Sequence, residues 1–545
     1  MRTSTPAVPV VEYAARPAPP PPPEPPAPTL SDRVLALADR HRRKLFLGLL
    51  VIYLLGFNAQ WRVEPDSALY LTVGRNLAEG HGYTYHGQPH HLAYPGLPLL
   101  FSGIFKLFGT RTLVPSLVVM LLIGAATLAL TYRLFLLYAG RPTAVLMTFG
   151  LGISRLFYRY CFELLSDMPF LLGVMAFLAG FEAIFHRRHD GGESDDAAAH
   201  PVKWFDWVLL IGGLATAIAM RPSMWALLAA TVLALAWTTI RGGFRWKQAI
   251  PLGLAILAAG ILFWKLDPRR NGHAAMGDYE DALVEFAIGH VGTLFHNLFF
   301  VNLPKLFQAT LSQTLFGARL GPGLSDLAGV GVVLVCATML RDRPLWFLWV
   351  AMTFVMMLVA IEPLDRYFLE ALPLMVFAWW RGIRWLNQRL PQMRFGRHRV
   401  SRRWADWVFA GLFCLGGTTN LLRVGEFVVE QRRPHFLNSY KEGRYASSNQ
   451  VAKLVHDRVD AHGWVLATPK FARILTFLSH RNVAGPHEPV DLDPNRESVF
   501  VLEPIDDMVR QRLDQLQIRL GGQVGPDIES KFDPEPWQLR KAESQ

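Results

Sequence analysis

From Leu45 onward the sequence returns repeatedly to unbroken apolar stretches, many of them near the roughly 20 residues that a helix needs to cross a bilayer. In lipid every backbone N–H and C=O must find its partner within the chain, so such stretches are read as helices. The alternative of several water-soluble cores has to place the same stretches inside separate domains. The composition argues against that: 51% of the 545 residues are hydrophobic and only 18% charged, where soluble domains carry about 25%. A mean hydropathy of +0.21 also excludes disorder for the bulk of the chain. The expected fold is a polytopic α-helical membrane protein.

Spans are expected near 45–61, 113–138, 143–158, 168–185, 205–220, 223–240, 249–266, 327–340, 345–361, 367–380 and 405–421, about eleven transmembrane helices in all. Arg40-His41-Arg42-Arg43-Lys44 precedes the first and should stay cytoplasmic by the positive-inside rule. Counting from there, the inside links carry Arg141, then Arg187, Arg188 and Lys203, then Arg241, Arg245 and Lys247, then Arg341 and Arg343. The last inside link, Arg381 to Arg403, holds eight arginines. The outside segments are mixed, with Asp66, Glu79, Glu163, Asp167, Asp278, Glu280 and Asp281. One missed span would reverse the bias downstream, so the alternation supports the register. The formal charge of +11 is thereby a topology signal, and no basic groove studded with aromatics suggests nucleic acid.

Residues 1–40 read as a disordered cytoplasmic tail, nearly all proline and alanine from Pro17 to Pro28, and not as a cleavable signal. Residues 41–421 form the membrane domain, with exoplasmic loops at about 62–112 and 267–326. The first loop should be helical from Ser67 to Glu79, stopped by Gly80 and Gly82, and Val284 to Phe307 should lie along the membrane surface. Residues 422–545 have ordinary polarity and suggest a small exoplasmic α/β domain, with strands at Trp464–Ala467 and Val499–Leu502 and helices at Asn449–Val459 and Ile505–Leu516. Cys161, Cys336 and Cys414 sit in or beside apolar stretches and imply no disulfide framework.

The candidate chemistry lies on the outside. Glu64-Pro65-Asp66-Ser67 follows the first span, and a carboxylate at the lipid–water boundary has its proton affinity set by desolvation and nearby cations. Asp66 can equally N-cap a helix beginning at Ser67. Ser166-Asp167-Met168-Pro169 repeats the situation beside the fourth span, with Glu163 one helical turn away. Cations face these carboxylates from the same side: Arg221-Pro222 in a tight turn, Asp365-Arg366-Tyr367 before the tenth span, and Lys265, Arg269 and Arg270 after the seventh. Ionisable groups at membrane depth are costly, which marks them as functional or paired. For Arg366 the pairing alternative is Asp365 or Glu362; for Lys265 it is snorkelling to headgroups. His86, His90 and His91, with Glu64, match no tight metal-ligand spacing, and a divalent metal is left open.

This order of motifs resembles the GT-C superfamily of integral-membrane glycosyltransferases, in particular the bacterial branch related to protein O-mannosyltransferases and the lipid A aminoarabinose transferase. The likeness rests on Asp66, Gly80–Tyr83, Tyr94–Pro98, Ser166-Asp167-x-Pro169, Arg221-Pro222, and Arg366-Tyr367 with Pro373. It implies transfer of a sugar from a polyprenyl-phosphate carrier to a lipid, glycan or protein acceptor on the exoplasmic face, in a bacterial inner membrane. By position Asp66 and Asp167 are the catalytic carboxylates, and Arg366, Arg221 and Lys265 the donor-phosphate cations. Tyr70, Tyr83, His91, Tyr94, Glu163 and Tyr367 would line the substrate loop. The protein O-mannosyltransferases carry an acidic residue directly after the aspartate; here it is Ser67, which weakens any inference of a mannosyl donor or protein acceptor. Three rivals share the composition: a transporter, an O-antigen ligase or polymerase, and a membrane scaffold.

Overall fold

The computed structural model describes residues 30–90, 93–186, 203–241, 246–266, 291–306, 336–337, 339–359, 366–389, 394–395, 398–399, 402–432, 448–486, 498–528 and 536–544. The apolar stretches become helices: α1 Leu30–Arg40, α2 Arg42–Gly56, α3 Pro65–Glu79, α4 Gly96–Phe108, α5 Val114–Ala139, α6 Arg141–Gly152, α7 Arg155–Tyr160, α8 Asp167–Phe181, α9 Trp204–Met220, α10 Met224–Ile240, α11 Trp246–Leu266, α12 Pro344–Val359, α13 Tyr367–Arg389 and α14 Arg402–Arg432. Among the described residues two runs, Val114–Ala139 and Asp167–Phe185, are long and apolar enough to cross a membrane. The span expected at 327–340 and the loop expected at 267–326 lie largely outside the described residues. Within that loop, Val291–His296 is helical and continues as a wider turn through Asn302, with Phe295, Phe299 and Phe300 exposed.

Three expectations are corrected. Residues 30–40, assigned to the tail, form a helix instead: Val34, Leu35 and Ala38 share an apolar face packed on Val145 and Leu146, and Asp39 takes both nitrogens of the Arg141 fork at 2.9 Å. The single span expected at 143–158 breaks into α6 and α7. At 12 residues α6 is only about 18 Å long, too short for a bilayer on its own. The break is stabilised by side chains from other helices. The Tyr53 hydroxyl donates to the Gly152 carbonyl at 2.9 Å, and the Arg155 amide donates to Asn420 Oδ1 at 3.1 Å. Finally, the helix expected to end at 421 runs on to Arg432, because Val424 and Phe427 extend its apolar face and Phe427 packs on Tyr158 and Phe162.

Helices α8 and α9 approach most closely where side chains are missing. A Cβ on Gly173 would lie 2.8 Å from the Ala217 amide nitrogen, and one on Gly180 would lie 2.5 Å from that of Leu210. A Cβ on Gly213 would run into the backbone of Phe177, whereas one on the adjacent Gly212 would meet open space. Backbone cannot rotate away as a side chain can. Gly213→Val is therefore expected to cost stability at the upper end of the roughly 1–3 kcal/mol typical of overpacking. Gly212→Ala should melt within about 1 kcal/mol of the parent protein in detergent, as a helix-favouring exchange on an open face.

Beyond α14 the chain forms α15 Ser448–Arg458, α16 Pro469–Ser479 and α17 Asp507–Gln515 around a five-stranded sheet. Its strands are β1 Trp464–Leu466, β2 Asn482–Ala484, β3 Val499–Glu503, β4 Ile518–Gln523 and β5 Gln538–Ser544, ordered β2-β1-β3-β5-β4. The first three are parallel and β5 is antiparallel to both neighbours. One continuous apolar cluster runs from Leu49 and Leu97 in the helical bundle through Phe471 and Leu475 to Leu539 in this sheet. The contact is made by α16 lying on α3, with Phe477 edge-on to Trp61 at 5.3 Å.

Candidate active site

Helix α3 places the first carboxylate. Pro65 takes the first helical position, where its missing N–H costs nothing, and the chain leaves through Gly80 in the left-handed conformation at φ 88°. The helix therefore begins before Asp66, and the capping alternative for that residue does not apply. Ser67 donates to the Glu64 carbonyl at 2.7 Å, while Asp66 turns away to accept from Arg366 Nη1 on Oδ2 at 2.9 Å and from Arg473 Nη1 on Oδ1 at 3.3 Å. Its side chain keeps 37% of its exposure. Burial pushes the Asp66 carboxyl up, but Arg366, Arg473 and Arg221 outweigh it and hold the group below the usual carboxylate range.

The second carboxylate opens α8. Asp167 follows Ser166 and makes no cap; it is almost wholly buried and accepts from Arg221 Nη1. Pro222 disfavours helical geometry in the residue before it, so Arg221 is extended, at φ −155° and ψ 151°, and its side chain leaves the end of α9 toward the interior. The same Nη1 lies 3.4 Å from Glu370 Oε1, which also accepts from the Ser223 hydroxyl at 3.2 Å. Glu370 is fully buried, one turn into α13 from Arg366. The Tyr367 ring faces the guanidinium carbons of both Arg221, at 5.3 Å, and Arg366, at 5.7 Å. Tyr70, one turn beyond Asp66, sets its hydroxyl against Ser166, and burial followed by the Asp66 charge raises it above the usual tyrosine value.

Asp66, Asp167, Arg221, Arg366, Tyr70 and Tyr367 thus converge, although their positions span most of the chain. Other expected residues go elsewhere. Glu163 is engaged by Arg159 Nε at 2.7 Å and by Arg62 Nε at 3.8 Å. The Tyr83 hydroxyl donates to the Ala93 carbonyl at 2.8 Å, a bond that shapes its own loop. Tyr94 precedes α4 and is half-buried, and Lys265 ends α11 with an exposed side chain outside the cluster. His91, Glu362, Asp365, Arg269 and Arg270 lie outside the described residues. His86 packs against Tyr85 and Trp464, and His90 Nε2 accepts from the Ala93 amide. Among the described residues no three His, Cys, Asp or Glu side chains are grouped as metal ligands.

No family model matches the sequence, and no curated protein matches it either. Solved structures do match. The lipid A aminoarabinose transferase ArnT from Cupriavidus metallidurans, in the apo state, aligns with a TM-score of 0.56 at 12% identity, over 91% of this chain and 97% of that one. The chain has the GT-C fold. The same transferase bound to undecaprenyl phosphate aligns with a TM-score of 0.54, again at 12% identity and with the same coverage. This likeness is one of fold, and it takes in nearly all of both chains.

The sequence reading missed two members of the cluster. Glu370 had a signal: an acidic residue inside an apolar helix, four positions after an arginine, is costly unless paired. Arg473 had none. It stands in the first turns of an ordinary amphipathic helix and reaches Asp66 only because α16 docks on α3.

Proposed function

We propose that this chain is a membrane glycosyltransferase that moves a sugar from a polyprenyl-phosphate carrier to an acceptor on the exoplasmic face. The observation that carries this reading is the half-exposed Asp66 carboxylate, bridged by Arg366 at the head of α13, in a chain of GT-C fold. The ArnT structure with undecaprenyl phosphate supports a carrier of that class.

The reaction follows from the groups present. An acceptor hydroxyl attacks the anomeric carbon and its proton passes to Asp66. The carbon–oxygen bond to the carrier breaks, and its electron pair leaves with the phosphate. One direct displacement inverts the anomeric centre. The leaving phosphate gains charge as the bond breaks, so guanidinium groups placed beforehand stabilise the transition state more than the ground state. Arg366, bonded to Asp66 at the head of α13, is one such cation in this scheme. Arg221 plays a different part. Held by both Asp167 and Glu370, it orients Asp167 and ties α8, the α9–α10 turn and α13 together.

The test is transfer. Membranes containing the chain and supplied with labelled polyprenyl-phosphate sugars should pass label to an extractable acceptor. Label accumulating inside sealed vesicles without any new glycosidic bond would establish the transporter alternative instead.

A further inference from the structure

Both oxygens of Asp66 are occupied by cations from different parts of the chain: Arg366 on Oδ2 from the helical bundle and Arg473 on Oδ1 from the C-terminal α/β unit. We infer that Arg473 is a mobile part of the donor site: it holds Asp66 while the site is empty and passes to the carrier phosphate when the donor arrives, freeing the carboxylate to act. This deepens the glycosyltransferase reading and rests on it.

The argument begins with charge. Among the described residues three guanidinium groups, on Arg221, Arg366 and Arg473, face three carboxylates, on Asp66, Asp167 and Glu370. A phosphodiester donor adds one negative charge, and the phosphate monoester left behind approaches two. The phosphate therefore needs a cation from the cluster, and needs it more as the bond breaks. Arg221 is the worst candidate, buried and bound by two acids. Arg366 has 23% of its side-chain surface exposed, and Arg473 has 34% with the longer of the two bonds to Asp66. Arg473 is the cation released with least loss.

Chemistry requires the same exchange. A carboxylate with a guanidinium on each oxygen is a poor proton acceptor, and removing one of them restores basicity at the moment the substrate is present. The base of Arg473 is well anchored for such a swing. Phe477, one turn along α16 and on the same face, packs on Trp61, and Arg75 of α3 donates to the Phe477 carbonyl at 3.0 Å. The backbone stays in place while a long, partly exposed side chain changes partner.

The experiment uses the full chain in nanodiscs. Donor KM, kcat and inhibition by polyprenyl phosphate alone are measured for the parent, Arg473→Ala, Arg473→Gln and Arg473→Lys. Loss of one charge-assisted phosphate bond should raise the donor KM and weaken polyprenyl-phosphate inhibition by about 10–100-fold in the first two variants. Lysine should recover much of both. Arg473→Gln, which keeps the length and polarity of the side chain, reads the charge where alanine unfolds the protein. A parent that transfers sugar beside Arg473 variants with unchanged donor KM and unchanged inhibition overturns the assignment of Arg473 alone. So does a drop confined to kcat. A parent that neither transfers from nor binds polyprenyl phosphate overturns the glycosyltransferase reading, and this inference falls with it.

Discussion

Asp66→Asn should lower kcat for sugar transfer by about 10²–10⁴-fold while leaving the folded protein intact, the range expected when a general base is removed. Asparagine keeps the shape of the side chain but cannot take the acceptor's proton. It also releases Arg366 and Arg473 from their resting partner, so polyprenyl phosphate should bind the variant at least as tightly as it binds the parent. Collapsed turnover with undiminished carrier affinity is a pattern that a merely structural Asp66 would not give. The pH profile adds a second check. A base works when deprotonated, so transfer is retained above its pKa and lost as pH falls through it. Arg366, Arg473 and Arg221 hold that pKa below the usual carboxylate range, against burial. The acid limb of kcat/KM reports the empty enzyme and that of kcat the donor complex. Once the phosphate has drawn a cation away, the kcat limb should lie at the higher pH. Near-normal turnover by Asp66→Asn sinks the assignment.

Much of this is legible in the sequence, because apolar helices and helix ends are written locally. Pro65 and Gly80 bracket α3, and Pro222 both ends α9 and turns Arg221 inward. The strands at Trp464 and Val499 stand out as short apolar runs between polar segments. The failures are those of tertiary context. The break after Gly152 depends on Tyr53 and Asn420, which lie 99 and 265 positions from their partners. Asp66 could not be told from a helix cap until its cations were placed, and one of those cations comes from 407 positions away. Local pattern gives the carboxylates. Which arginine answers which acid is decided by how α13 and α16 pack on α3.

Arg221→Ala should be the most destabilising single change in the cluster. Asp167 and Glu370 are 1% and 0% exposed, and Arg221 is the cation that bonds to the first and lies 3.4 Å from the second. Removing it leaves two buried carboxylates facing each other with water largely excluded. Breaking a buried pair from one side typically costs about 3–5 kcal/mol, because the stranded charge keeps its desolvation penalty and loses its compensation. The loss should appear in detergent as a lower melting temperature and a smaller fraction of monodisperse protein. The cause can be separated from lost packing by a double-mutant cycle. Glu370 Oε2 has no hydrogen-bond partner among the described residues, so Glu370→Gln sacrifices little at that oxygen while removing one of the stranded charges. Arg221→Ala with Glu370→Gln should therefore be more stable than Arg221→Ala alone, a coupling of the sign expected for residues sharing one ionic network. Additive losses in the pair would mean that Arg221 stabilises the bundle by filling space between α8 and α13, and that the charges are balanced by other groups.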